Sequence, residues 1–194
     1  MEGYWRRVHH PSTMLRMVPL PTSFAGREEL DSFAPRCLGR RMSIDQRLAE
    51  LGVTLPQPAA PVAAYVPAVE RDGLLHISGQ ISFAEDGSLI KGRLGEDMDL
   101  DGGIAAARRC GVMLLAQMKA ALGSLDRVER VVKLGVFVNS APAFTDQPKV
   151  ANGASELMQE VFGEAGRHAR SAVGVAVLPL GVAVEVDAIV AVKS

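Results

Sequence analysis

The sequence predicts an α+β fold, and three observations carry that reading. Strand-like runs are divided by two helix-length stretches instead of alternating strictly with helices. An Asp-Gly pair at residues 72–73 sits between two apolar runs, the strongest short-range signal for a β-hairpin. The 194 residues are 48% hydrophobic but only 5% aromatic, so a core of Val, Leu, Ala and Ile must hold the domain together.

Residues 1–41 stand apart. They carry seven arginines, no lysine and four acidic residues, a net of +3 that leaves −4 for the rest of the chain. With four prolines and no sustained period they are expected to form a disordered N-terminal extension, and the acidic cluster Glu28-Glu29-Asp31 weighs against a transit peptide. Met42-Ser43-Ile44-Asp45 looks like a natural beginning, and residues 42–194 read as a single domain.

The elements of that domain follow in order. Ile44, Leu48 and Leu51 keep helical spacing behind Ser43 as N-cap, and Gly52 ends that helix. Residues 55–61 form a proline-punctuated connector. Residues 65–69 and 74–78 are the hairpin strands about Arg71-Asp72-Gly73. Residues 99–122 read as one long amphipathic helix ended by Gly123, and 128–138 as an apolar, β-branched strand. A second helix runs from about Thr145 or Pro148 through Val161, and 167–170 is a short polar joint. Residues 172–177 and 182–192 are the last two strands, giving the order β-β-α-β-α-β-β.

Several function classes drop out. A formal charge of −1 argues against an electrostatic nucleic-acid binder. Two cysteines without paired spacing, Cys37 and Cys110, fit a reducing compartment such as the cytoplasm, with Cys110 a small buried side chain in a helix. His9, His10, His76 and His168 include no metal-ligand spacing, and no phosphate loop, dinucleotide fingerprint or nucleophile elbow is present. The four carboxylates at residues 96–101 lack the spacing of a calcium loop and read as a solvated lead into a helix N-terminus.

Five segments taken together carry a resemblance. They are Ala64-Tyr65-Val66-Pro67-Ala68-Val69, Leu75-His76-Ile77-Ser78-Gly79-Gln80, the run 132–138, Ala169-Arg170-Ser171-Ala172-Val173, and Leu178-Pro179 through Val184-Glu185-Val186-Asp187-Ala188-Ile189. Their order and spacing over residues 60–194 resemble the Rid/YjgF family, the reactive-intermediate imine deaminases also called L-PSP endoribonuclease-like proteins. The resemblance implies a chorismate-mutase-like sheet with two helices on one face. It also implies a homotrimer whose ligand clefts lie between subunits, and cofactor-free hydrolysis of 2-imino or enamine acids to 2-oxo acids and ammonia.

Site residues follow from the same resemblance. Arg170 matches the arginine that holds the substrate carboxylate, a role its planar fork suits. Glu185 matches the glutamate that positions the attacking water, though it also reads as an outward-facing strand residue. Tyr65 matches the pocket tyrosine, Ser78 the serine before Gly-Gln, and Asn152 or Gly153 the helix asparagine. Ala172 stands where the family's deaminases have a pocket-lining cysteine, which changes shape more than mechanism. No metal or organic cofactor is implied. The partner is a small carboxylate, with nucleic acid and membrane not expected. The alternatives are a trimer that binds small carboxylates without turnover and, third, a ribonuclease.

Overall fold

A computed structural model describes residues 42–58 and 65–193. The expected extension over residues 1–41, Ala64 and part of the proline connector lie outside the described residues.

Local chemistry starts the helices. In α1 (Ile44–Glu50) the Ser43 hydroxyl accepts from the Gln46 amide while the Gln46 side chain accepts from the Ser43 amide, a reciprocal capping box. In α2 (Leu100–Leu122) Asp99 caps the N-terminus through the Gly102 N–H at 2.8 Å, and Gly123 closes the end at φ 76°. The strands β1 (Ala68–Arg71) and β2 (Leu74–Ile81) are joined by Asp72 and Gly73, both at positive φ, as a two-residue hairpin loop requires.

β3 (Val128–Asn139) is followed by α3 (Gln147–Val150) and α4 (Asn152–Phe162), then by β4 (Ala169–Val175) and β5 (Val184–Val192). The one helix expected from about residue 145 or 148 is therefore two, broken at Ala151. β4 begins at Ala169, so half of the polar joint expected at 167–170 is strand. The cause is long-range: Ala169, Arg170 and Ser171 pair in parallel with Lys133, Leu134 and Gly135 of β3.

The five strands form one mixed sheet in the order β1-β2-β5-β3-β4, with β1 and β4 at its two edges. All neighbours are antiparallel except β3 and β4. β5 alternates strictly: Val184, Val186, Ala188, Val190 and Val192 are buried under the helices, while Glu185, Asp187, Ile189 and Ala191 face the other side. Ala107, Cys110, Leu114 and Met118 of α2 and Leu157, Met158 and Val161 of α4 complete the core. This is the α+β architecture expected from the sequence, a five-stranded sheet with its long helices on one face.

α4 sits unusually close to α2. A Cβ on Gly153 would overlap the Ile104 carbonyl oxygen and meet the Arg108 nitrogen at 3.0 Å, and both are backbone atoms that cannot swing aside. Gly153→Ala should therefore cost about 1–3 kcal/mol, as overpacking does. Thermal unfolding of the two proteins checks this, and an unchanged Tm would mean that the helices separate freely.

Candidate functional site

Arg170 lies on β4 with its side chain on the helix side of the sheet, since its partner Leu134 belongs to the buried row of β3. Its Nη1 donates to Asn152 Oδ1 at 3.0 Å and Ser155 Oγ at 2.9 Å, and its Nη2 donates to the Pro148 carbonyl at 3.0 Å. A guanidinium has five N–H groups. Three are used among the described residues, which leaves Nε–H and one Nη2–H for a ligand. Nε–H and Nη2–H lie along one edge of a guanidinium, and that edge can make two parallel bonds to a carboxylate.

Asn152 and Ser155 are three apart on α4 and so share a face. The two readings left open for the helix asparagine part here: Asn152 meets Arg170, whereas Gly153 packs on α2. Together with Glu156, Gln159, Gly166, Arg167, His168 and Arg170, Asn152 and Ser155 line an open cavity of about 410 Å³. Apart from Gly166 every lining residue is polar or charged, so the cavity suits a small hydrophilic ligand.

Glu185 lies elsewhere. It pairs with Phe137 of β3 and Ile81 of β2 and faces away from the helices. Its carboxylate lies over Gly79, where a Cβ would overlap its oxygen. This explains the glycine of the Ser78-Gly79-Gln80 motif. Ser78 and Gly79 together face Asp187 in a β-bulge, the register shifting between Ile77 and Gln80. Burial pushes the Glu185 proton affinity up, and the charge of Asp187 pushes it further. Asp187 is tied down, accepting the Gly135 N–H at 3.0 Å. A carboxyl of raised proton affinity beside a fixed charge is suited to taking a proton from water.

The other expected residues divide between these two regions. Tyr65 is exposed ahead of edge strand β1. Ser78 Oγ donates to the Pro67 carbonyl at 3.2 Å, fixing the bulge to the segment that follows Tyr65. Ala172 is on the Arg170 face of β4 but packs against the core and does not line the cavity.

Arg170 and Glu185 cannot reach one ligand within a single chain. β3 lies between their strands, two inter-strand spacings make roughly 10 Å, and the side chains leave opposite faces. Arg170 aligns across β3 with Ala188, three residues along β5 from Glu185. One chain thus carries two separated groups: Arg170 and Asn152 at the β4 edge, and Tyr65, Ser78 and Glu185 toward the β1 side.

Three polar residues near these groups were not anticipated. Ser155 follows Asn152 by one helical turn and His168 precedes Arg170 by one strand period, signals that reading 167–170 as a joint discards. Asp187 is two residues from Glu185 on the same strand face. No group of three or more His, Cys, Asp or Glu able to hold a metal occurs among the described residues. No helix among them is long and apolar enough to cross a membrane.

Comparison with known proteins agrees with this fold. Residues 45–190 match the family described as “YjgF/chorismate_mutase-like, putative endoribonuclease”. The chain is 56% identical over 144 residues to Protein TCP17 of Trypanosoma cruzi, covering 74% of this chain and 90% of that one. The crystal structure of Atu1372 from Agrobacterium tumefaciens, a protein of unknown function, superposes with a TM-score of 0.72 at 47% identity, over 78% of this chain and 94% of that one. E. coli TdcF with bound serine superposes with a TM-score of 0.50 at 27% identity, over 71% and 94%.

Proposed function

The chain belongs to the YjgF/chorismate-mutase-like family, and from that premise we propose that it hydrolyses small 2-imino acids to 2-oxo acids and ammonia, in clefts formed where the β4 edge of one subunit meets the β1 side of the next. The observation that carries this reading is the Arg170 fork, with Nε–H and one Nη2–H unspent at a cavity lined, Gly166 apart, by polar and charged residues. The amino acid bound by TdcF supports a ligand of the same size and carboxylate chemistry.

The roles follow from the chemistry of each group. Arg170 fixes the substrate carboxylate, and Asn152 fixes Arg170. Glu185 of the adjoining subunit orders a water and takes its proton as the oxygen adds to the imine carbon. Glu185 passes that proton to the nitrogen of the resulting carbinolamine, which leaves as ammonia when the C–N bond breaks, and the hydroxyl returns a proton to Glu185 as it becomes the ketone. Tyr65 and Ser78 line the same side of the cleft as Glu185. Imines of this kind hydrolyse slowly unaided, so positioning and a well-placed base suffice.

A ring also follows from this arrangement. Complementary groups at different places on one subunit allow a heterologous contact, which forms a ring when the rotation between neighbours closes, and the family resemblance points to a ring of three. Light scattering should give a mass near three chains that is insensitive to salt. A monomer at micromolar concentration would remove the composite cleft. Activity is read as ammonia release from freshly generated 2-imino acids. Saturable 2-oxo acid binding with no acceleration would select the non-catalytic carboxylate binder instead. Ribonuclease action fits less well, because a net charge of −4 over residues 42–194 offers no electrostatic groove for a phosphate backbone.

A further inference from the structure

Behind Arg170 the hydrogen bonds run in one direction. His168 Nδ1 lies 2.6 Å from the Gly166 carbonyl, and its Nε2 lies 3.0 Å from Ser155 Oγ. The carbonyl can only accept, so Nδ1 carries the proton. Burial, and to a lesser extent the Arg170 charge, hold the imidazole below the usual histidine range, against the carbonyl contact that raises it. A neutral ring protonated at Nδ1 presents a lone pair at Nε2, and the Ser155 hydroxyl must donate to it. The Ser155 oxygen is then left with its lone pairs toward Arg170 Nη1, 2.9 Å away. Each of the three links joining Arg170, Ser155, His168 and Gly166 then has one donor and one acceptor.

We propose that His168 is a positioning residue that sets the Arg170 fork through Ser155. The inference rests on Arg170 as the carboxylate anchor. A serine hydroxyl with no fixed acceptor rotates among three staggered positions, and in one of them its hydrogen points at the guanidinium. With His168 holding that hydrogen, Ser155 and Asn152 fix both Nη1 hydrogens and thereby the plane of the fork. His168 does not touch the ligand's carboxylate; it decides how Arg170 presents itself to one. The class of ligand is a small 2-oxo or 2-imino acid short enough for the polar cavity.

The test uses the full chain with His168→Ala, His168→Gln, Ser155→Ala, the Ser155→Ala/His168→Ala pair and Arg170→Ala, with 2-oxobutyrate as the probe and melting temperatures alongside. Without ligand, imidazole ¹⁵N shifts at pH 7 should report a neutral ring protonated at Nδ1, and Ser155→Ala should move the Nε2 signal. An Nε2-protonated ring, or a signal indifferent to Ser155→Ala, overturns the proposal whatever the chain binds. In calorimetry His168→Ala should weaken 2-oxobutyrate about tenfold, the worth of one oriented hydrogen bond. His168→Gln, whose amide can accept from Ser155, should recover most of that loss. Ser155→Ala should weaken binding to the same degree, with the double variant no worse than either single one. Additive losses, or no rescue by glutamine, would also overturn the relay. Equal binding by wild type and Arg170→Ala would instead remove the carboxylate reading on which it rests.

Discussion

Arg170→Ala should lower kcat/KM for 2-imino acid hydrolysis by roughly thirty- to several-thousandfold, the equivalent of about 2–5 kcal/mol for removing one half of a desolvated charge pair. The loss is large because the ligand's carboxylate would enter the cleft with no partner. Arg170→Lys should recover only part of it. An ammonium keeps the charge but cannot make two parallel bonds while also holding Asn152, Ser155 and the Pro148 carbonyl. Stability should move little in either variant, since the Asn152 and Pro148 contacts are exposed enough for water to replace the guanidinium. Rates, 2-oxo acid affinities and melting temperatures for the three proteins check the prediction. Equal rates and affinities in wild type and Arg170→Ala would sink the deaminase and the carboxylate-binding readings together.

Glu185→Gln should have the opposite signature. The amide is the same size but accepts no proton, so kcat should fall by about 10²–10⁴ with KM little changed. Stability should not fall with it. Because the folded chain holds the Glu185 proton more tightly than the unfolded chain does, the group's contribution is fully present below the ordinary glutamate pKa. It is lost as pH rises through the raised value. Above that raised value the charged Glu185 is therefore a burden on the fold. Glu185→Gln should leave Tm unchanged or higher there and flatten the loss of stability across that acidic window. A kcat near wild type would show that another group activates the water, and a marked fall in Tm at pH 7 would show that Glu185 is held by contacts its proton affinity does not reflect.

What was legible in the sequence was mostly local. Ser43, Asp99 and Gly123 mark helix ends because a cap is a contact between near neighbours, and Asp72-Gly73 fixes a hairpin for the same reason. The start of β4 was not legible. Ala169 and Arg170 become strand only through parallel pairing with β3, more than thirty residues earlier, and the polar stretch before them carries no local sign of it. The family motifs brought out Arg170, Asn152, Ser78 and Glu185 one at a time. That Arg170 and Glu185 leave opposite faces of the sheet depends on the β5-β3-β4 register, which no single segment holds. Ser155 and His168 were hidden because neither belongs to a motif; each matters only through the side chain one helical turn or one strand period away.

The composite cleft is tested most directly by pairing two inactive proteins. Arg170→Ala and Glu185→Gln chains, refolded together in equal amounts, assemble at random. An interface is intact when its arginine comes from a Glu185→Gln chain and its glutamate from an Arg170→Ala chain, which happens at about one interface in four of a closed ring. Ammonia release should then recover to about a quarter of the wild-type rate per chain, while each variant refolded alone stays inactive. If mixed assemblies form and the rate remains that of the separate variants, Arg170 and Glu185 do not meet across a subunit boundary, and the account of the site is wrong.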